Sequence, residues 1–199
     1  MAQAPVTFES VSRKNRLTET YNRGAIALHW ITAALIVANL VLGVSMVGLP
    51  ISPRKLSWYV VHKSIGITIF LLTSLRLAWR ALRPHPAPVA MPAWQRRAAV
   101  ASHALLYALL FAIPVSGWLY SSATGVQVLY LGLVPLPDLV ARNRALGDAL
   151  RLVHVGLNTL LVAVVLLHVA AAVRHHVVDR DRVLARMLPF VKPNPPLRS

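Results

Sequence analysis

The stretch HVGLNTLLVAVVLLH (154–168) decides the fold. Its two histidines, His154 and His168, are fourteen residues apart with no charged residue between them. On an α-helix that spacing is close to four full turns, so both imidazoles leave the same face, about 21 Å apart along the axis. With its flanks the apolar block runs from Asp148 to Val173, long enough to cross the hydrocarbon core of a bilayer. A spanning helix with a histidine near each end of one face calls for two ligand sites stacked across a membrane. The partners must come from elsewhere in the chain.

Three more apolar blocks precede it, at Gly24–Val47, Ser57–Leu82 and Arg97–Ser122. Each is near or above the twenty or so residues needed to span. The first is too long for a signal peptide and lacks a small-residue cleavage site, so it reads as a retained helix. A chain of 199 residues with 56% hydrophobic residues and a mean hydropathy of +0.58 is too apolar for an ordinary soluble domain. The expected fold is all-α: a transmembrane four-helix bundle running up-down-up-down. Residues 1–23 form a basic extension, 24–176 the membrane domain, and 177–199 a basic, proline-rich tail whose end, Pro193–Ser199, is expected to fray. Pro50 and Pro53 mark the first linker, and Pro84, Pro86, Pro88 and Pro92 the second. The third linker, 123–147, carries Pro135, Pro137 and an apolar run, Val126–Val134, expected to lie along the membrane surface.

The net charge of +15 invites a nucleic-acid reading. The basic residues, however, flank apolar blocks instead of forming one patch with aromatics, which excludes it. Fifteen of the 21 Lys and Arg fall at the two ends of the chain and around the second linker. The other six, Arg54, Lys55, Lys63, Arg142, Arg144 and Arg151, fall around the first and third linkers. The positive-inside rule therefore places both termini in the cytoplasm, the expected location being the bacterial inner membrane. The chain has no cysteine, which excludes disulfides, thiolate-held iron–sulfur clusters and covalent haem c attachment.

With that topology His29 and His168 lie at one depth near the inner face, and His62 and His154 at another near the outer face. Intramembrane ionisable residues are costly and mark function. Two imidazoles facing each other across a bundle, with no acidic residue in the spanning segments, suit axial ligation of haem b. Two such pairs make two haems. Zinc fits less well, since only two ligands meet at each level. The same fourteen-residue step leads from His29 to Gly43, from His62 to Arg76 and from His103 to Gly117. Gly43 and Gly117 then leave room for the outer macrocycle, or serve close helix packing. Gly66 carries the same two readings. Arg76 is placed to pair with an inner propionate or to snorkel to the interface, and Lys63 to pair with an outer one. Pro114 is expected to kink its helix. Trp30 is placed to touch the inner macrocycle. His85, His175 and His176 are expected to be solvated or at lipid headgroups.

The segments YNRGAIALHW (21–30), HKSIG (62–66), HALLYALLFAIPVSGWLY (103–120), HVGLNTLLVAVVLLHVAAAVRHH (154–176) and DRDRVLARMLP (179–189) together resemble the bacterial cytochrome b561 family of four-helix, dihaem membrane proteins. The resemblance covers all four spans. It implies that His29, His62, His154 and His168 are the haem ligands. It also implies a role for His103 at a propionate or a quinone. One branch of that family oxidises superoxide at the periplasmic face and reduces ubiquinone, and this is the activity expected here. The six outer Lys and Arg against Asp138 and Asp148 then read as a basic funnel for a small anion. Two alternatives are a cytochrome b subunit passing electrons from a periplasmic dehydrogenase to quinone, and a haem-free membrane interaction protein.

Overall fold

The computed structural model describes residues 21–83, 86, 89–188, 190 and 191. The expectations for residues 1–20, His85 and the proline-rich end from 192 lie outside them. Four long helices account for most of the chain: α1 (Arg23–Val47), α2 (Pro53–Leu82), α3 (Ala93–Thr124) and α4 (Arg144–Val177). All four are long and apolar enough to cross a membrane.

Each helix but the first extends beyond its apolar block, because the ends are set by caps that hydropathy does not see. Asn22 accepts from the Ala25 amide at 2.8 Å, Ser52 from Lys55 at 3.3 Å, and Asn143 from Leu146 at 3.0 Å. Each bond satisfies an amide that the first turn leaves open. Pro53 follows its cap at a position where its missing N–H costs nothing. At the end of α3, Gly125 turns left-handed (φ 73°) and closes the helix with bonds to Ser121 and Ser122. At 34 residues α4 is the longest, about 51 Å at the usual rise, so its ends project past a hydrocarbon core of about 30 Å.

Neighbouring helices are antiparallel, and their registers can be read from side chains in contact. On α1 and α2, Gly43 faces His62 and Asn39 faces Gly66. On α3 and α4, Gly147 faces Thr124, Gly117 faces His154 and His103 meets His168. On α2 and α3, Phe70 meets Phe111 edge-on. The interior is not uniformly apolar. Ile69, Leu109, Leu110, Leu161 and Val164 form a buried cluster. Small polar side chains, Thr32, Ser64, Thr73 and Ser116, are buried as well. Large aliphatic residues such as Val41, Leu71, Leu166 and Leu167 point outward. This inversion of the soluble pattern is what a lipid solvent permits, since chains of hydrocarbon satisfy the outer face.

The run Val126–Val134 is not one continuous extended segment. It folds into a small hairpin, β1 (Leu129–Tyr130) against β2 (Val134–Pro135), with Leu129 opposite Pro135. Ser64 on α2 accepts from the Leu131 amide at 2.9 Å, and the Tyr130 hydroxyl lies 3.3 Å from Thr68 Oγ1. Val128 is buried beneath the hairpin. Polar atoms spaced along one face of α2 thus pull the segment onto the bundle. The chain after α4 stays ordered as far as it is described. It turns at Arg180 (φ 52°), forms a short 3-10 turn at Leu184–Arg186 and packs back on α4. His175 is not solvated: its Nδ1 is 2.6 Å from Asp181 Oδ2 and 3.3 Å from Asp179 Oδ2.

Candidate functional site

Two tiers of histidines sit at opposite ends of the helical bundle, separated by the buried apolar cluster. Ile69 lies between His62 and Arg76 along α2. Leu109 and Leu110 lie between His103 and Gly117 on α3. Leu161 and Val164 lie between His154 and His168 on α4.

At the outer tier His62 of α2 and His154 of α4 come together, ring centroids 6.3 Å apart and planes at 82°. Both are half-buried. The His154 ring is fixed by its Nδ1, which is 3.1 Å from the Ile113 carbonyl and 2.9 Å from the Ser116 hydroxyl. A carbonyl can only accept, so Nδ1 carries the hydrogen and donates it there. The Ser116 hydroxyl in turn donates to the same carbonyl at 2.8 Å, which leaves its lone pairs for the imidazole. The tautomer so selected leaves Nε2 with a bare lone pair, as a metal ligand requires. The rings are seated by glycines. A Cβ at Gly117 would stand 3.0 Å from His154 Cε1, and one at Gly43 3.1 Å from His62 Cε1. Any side chain there displaces the imidazole. Gly66 is different: its nearest neighbour is the Asn39 amide nitrogen at 3.9 Å, an ordinary contact.

At the inner tier His168 of α4 meets His103 of α3 edge-on, centroids 5.5 Å apart. His29 of α1 shares an electrostatic neighbourhood with His168, His103 and Arg76. Its Nδ1 is buried with no hydrogen-bond partner among the described residues. Its ring stands edge-on to Trp30 at 5.2 Å. The Arg76 guanidinium lies over the Tyr107 ring, 5.7 Å from its centroid. The inner tier therefore gathers three histidines and an arginine, one histidine more than the depth pairing of His29 with His168 requires.

The six outer cations share the end of the bundle that carries the first and third linkers. Arg54 stacks on Trp58 at 5.0 Å, and Lys55 donates to the Leu49 carbonyl at 2.6 Å. The Arg142 stem packs where Gly125 leaves room. Arg144 and Arg151 are exposed on α4. Lys63 does not reach for a free anion: its ammonium donates to the carbonyls of Val126 and Gln127 at 3.2 and 3.3 Å, tying the hairpin to α2.

Four long apolar helices that gather imidazoles at two levels can hold a planar metal cofactor at each. The profile of prokaryotic cytochrome b561 matches residues 20–190. The chain belongs to the prokaryotic cytochrome b561 family. It is therefore a multi-pass bacterial membrane protein of electron transfer, in a family whose cofactor is haem b. It is 35% identical to cytochrome b561 homolog 2 of Escherichia coli K12 over 85% of the chain and 92% of that protein. It is 29% identical to cytochrome b561 homolog 1 of the same organism over 85% and 97%. It is 30% identical to the probable superoxide oxidase CybB of Yersinia pestis over 82% and 93%.

Two features of this b561 site escaped the sequence. Ser116 looks like any small residue in a membrane helix, and only its place one residue before Gly117 hints at a task. His103 is visible as a histidine, but its contact with His168 depends on the α3–α4 register. The Asn158 amide donates to the His154 carbonyl at 2.7 Å, one turn back in its own helix.

Proposed function

We propose that this b561-family protein holds two b haems, one at each histidine tier, oxidises superoxide at the periplasmic face and reduces ubiquinone. The observation that carries the haem reading is the outer pair. Two imidazoles that would share one metal through nitrogen at about 2 Å each could have centroids up to roughly 6 Å apart, and His62 and His154, which would hold it, stand at 6.3 Å. The Nδ1–H tautomer of His154, the orphaned Nδ1 atoms of His29 and His62 and the glycine seats at Gly43 and Gly117 support the same fit. Haem b, when bound, supplies reversible one-electron exchange.

The protein's own residues do the rest. His62 and His154 hold the outer group, His29 and His168 the inner, and the apolar cluster between them excludes water. Arg76 offers a guanidinium for an inner propionate. His29 is preferred to His103 as the second inner ligand because it is half-buried with an unpartnered ring nitrogen, whereas His103 is exposed. His29→Ala is expected to remove the inner haem. His103→Ala is expected to leave the haem content at wild-type level in a pyridine haemochrome assay. The reverse pattern would exchange their roles.

Two superoxide anions give two dioxygen molecules, and their two electrons with two protons reduce one ubiquinone to ubiquinol. The outer end, with both termini in the cytoplasm, presents Arg54, Lys55, Arg142, Arg144 and Arg151 to the incoming anion. Replacing Arg54, Lys55, Arg142 and Arg144 by Gln is expected to slow superoxide-driven haem reduction by about tenfold or more at low ionic strength, and by less at high salt. An unchanged rate at low salt contradicts the funnel.

A second reading, a cytochrome b subunit serving a periplasmic dehydrogenase, is favoured by the exposed apolar tip of the hairpin at Leu131, Leu133 and Val134. The deciding experiment is an anaerobic reduced-minus-oxidised spectrum followed by a superoxide source with ubiquinone. Quinol formation supports the first reading. Haem that stays oxidised until a soluble dehydrogenase is added supports the second.

A further inference from the structure

Two of the four candidate ligands, His154 and His29, are fastened differently. At the outer tier a backbone carbonyl and a hydroxyl hold the ring nitrogen of His154, the usual way a ligand imidazole is kept in orientation. At the inner tier His29 has no such partner on Nδ1. What lies against its ring is Trp30, edge-on at 5.2 Å and 74°. Trp30 is itself pinned, because its indole N–H donates to the Met187 carbonyl at 2.8 Å, 157 residues away in sequence.

Met187 closes the short turn after α4, with its amide and that of Leu188 both donating to the Leu184 carbonyl at 3.0 Å. That turn is tied back in its own way. His175 Nδ1 meets Asp181 Oδ2 at 2.6 Å, Asp181 Oδ1 accepts from the Val183 amide at 2.9 Å, and Arg174 pairs with Asp179 at 3.2 Å. A continuous set of contacts thus runs from the end of α4, through residues 179–188, to the helix that carries His29.

We infer that this C-terminal segment is a clasp, and that through Trp30 it positions the imidazole of His29. Trp30 is a positioning residue, and Asp181 and Met187 act through it. The inference rests on the reading of His29 as an inner haem ligand. His154 is then oriented within the membrane helices, and His29 by a segment outside them.

The test uses Trp30→Phe, which keeps an aromatic ring and loses the N–H, and Asp181→Ala, which touches neither His29 nor Trp30. Losing one bond of about 1 kcal/mol should raise hydrogen exchange at the Met187 and Leu188 amides about fivefold. Both variants are also expected to shift the midpoint potential and low-spin EPR signal of the inner haem and to leave those of the outer haem in place. The unmoved outer signal reports an intact fold. Unchanged exchange overturns the clasp. Raised exchange with an unmoved inner signal, or an inner signal moved by Trp30→Phe alone, overturns the positioning role. A wild-type chain lacking the inner haem overturns the two-tier reading instead, and the exchange rates, which need no haem, still report the clasp.

Discussion

His154→Ala is expected to lose the outer haem and keep the inner one, and His168→Ala to do the reverse. Both histidines belong to α4, so a reading in which the helix served one shared site would have either substitution empty it. The separation is physical. About 21 Å of helix lies between the two rings, and Leu161 and Val164, both buried, fill that interval with Ile69, Leu109 and Leu110 from the neighbouring helices. Removing a ligand at one tier leaves the packing of the other untouched, and effects at sites this far apart are close to additive. Each variant should therefore carry half the wild-type haem with a single remaining low-spin signal. The signals should differ between the two variants, because the outer site keeps His154, whose Nδ1 is hydrogen-bonded, and the inner site keeps His29, whose Nδ1 is not.

Gly117→Val is expected to weaken outer haem binding almost as severely without touching a ligand. The first added carbon alone would stand 3.0 Å from His154 Cε1 and 3.3 Å from Nδ1, and valine adds two methyl groups beyond it. The imidazole must turn or shift, and it cannot do so without breaking its bonds to Ile113 and Ser116. Overpacking of this kind costs about 1–3 kcal/mol, which is about five- to 150-fold in affinity. Gly66→Ala is the matched control, since its Cβ would meet only the Asn39 amide at 3.9 Å. Haem titration of the two apoproteins measures the difference. Equal retention in both would mean that Gly117 serves helix packing alone.

The four spans were legible because lipid demands long uncharged runs, and no other arrangement of those runs satisfies the backbone. The pairing of His62 with His154 was legible because a helix converts sequence spacing into depth. Depth alone could not resolve the inner tier, where three histidines converge. Contact between His103 and His168 depends on which faces of α3 and α4 meet, and periodicity within one helix does not fix that. The hairpin was not legible because its strands are only two residues each, too short to show alternation. Its anchor is a set of single side chains, Lys63, Ser64 and Thr68, on another element. The folded C-terminal segment escaped for a similar reason: its hold on α1 is one indole N–H reaching across 157 residues, and a run rich in Asp and Arg resembles any solvated tail.

The central claim is that this chain carries two b haems on separate tiers of one helical bundle. Its most direct test is the haem-to-protein ratio, read from pyridine haemochrome spectra of purified wild type, His154→Ala and His168→Ala measured side by side. Two haems per chain in the wild type and one in each variant, with distinct reduced-minus-oxidised bands, is the predicted result. One haem in the wild type, or none left in either folded variant, would contradict it.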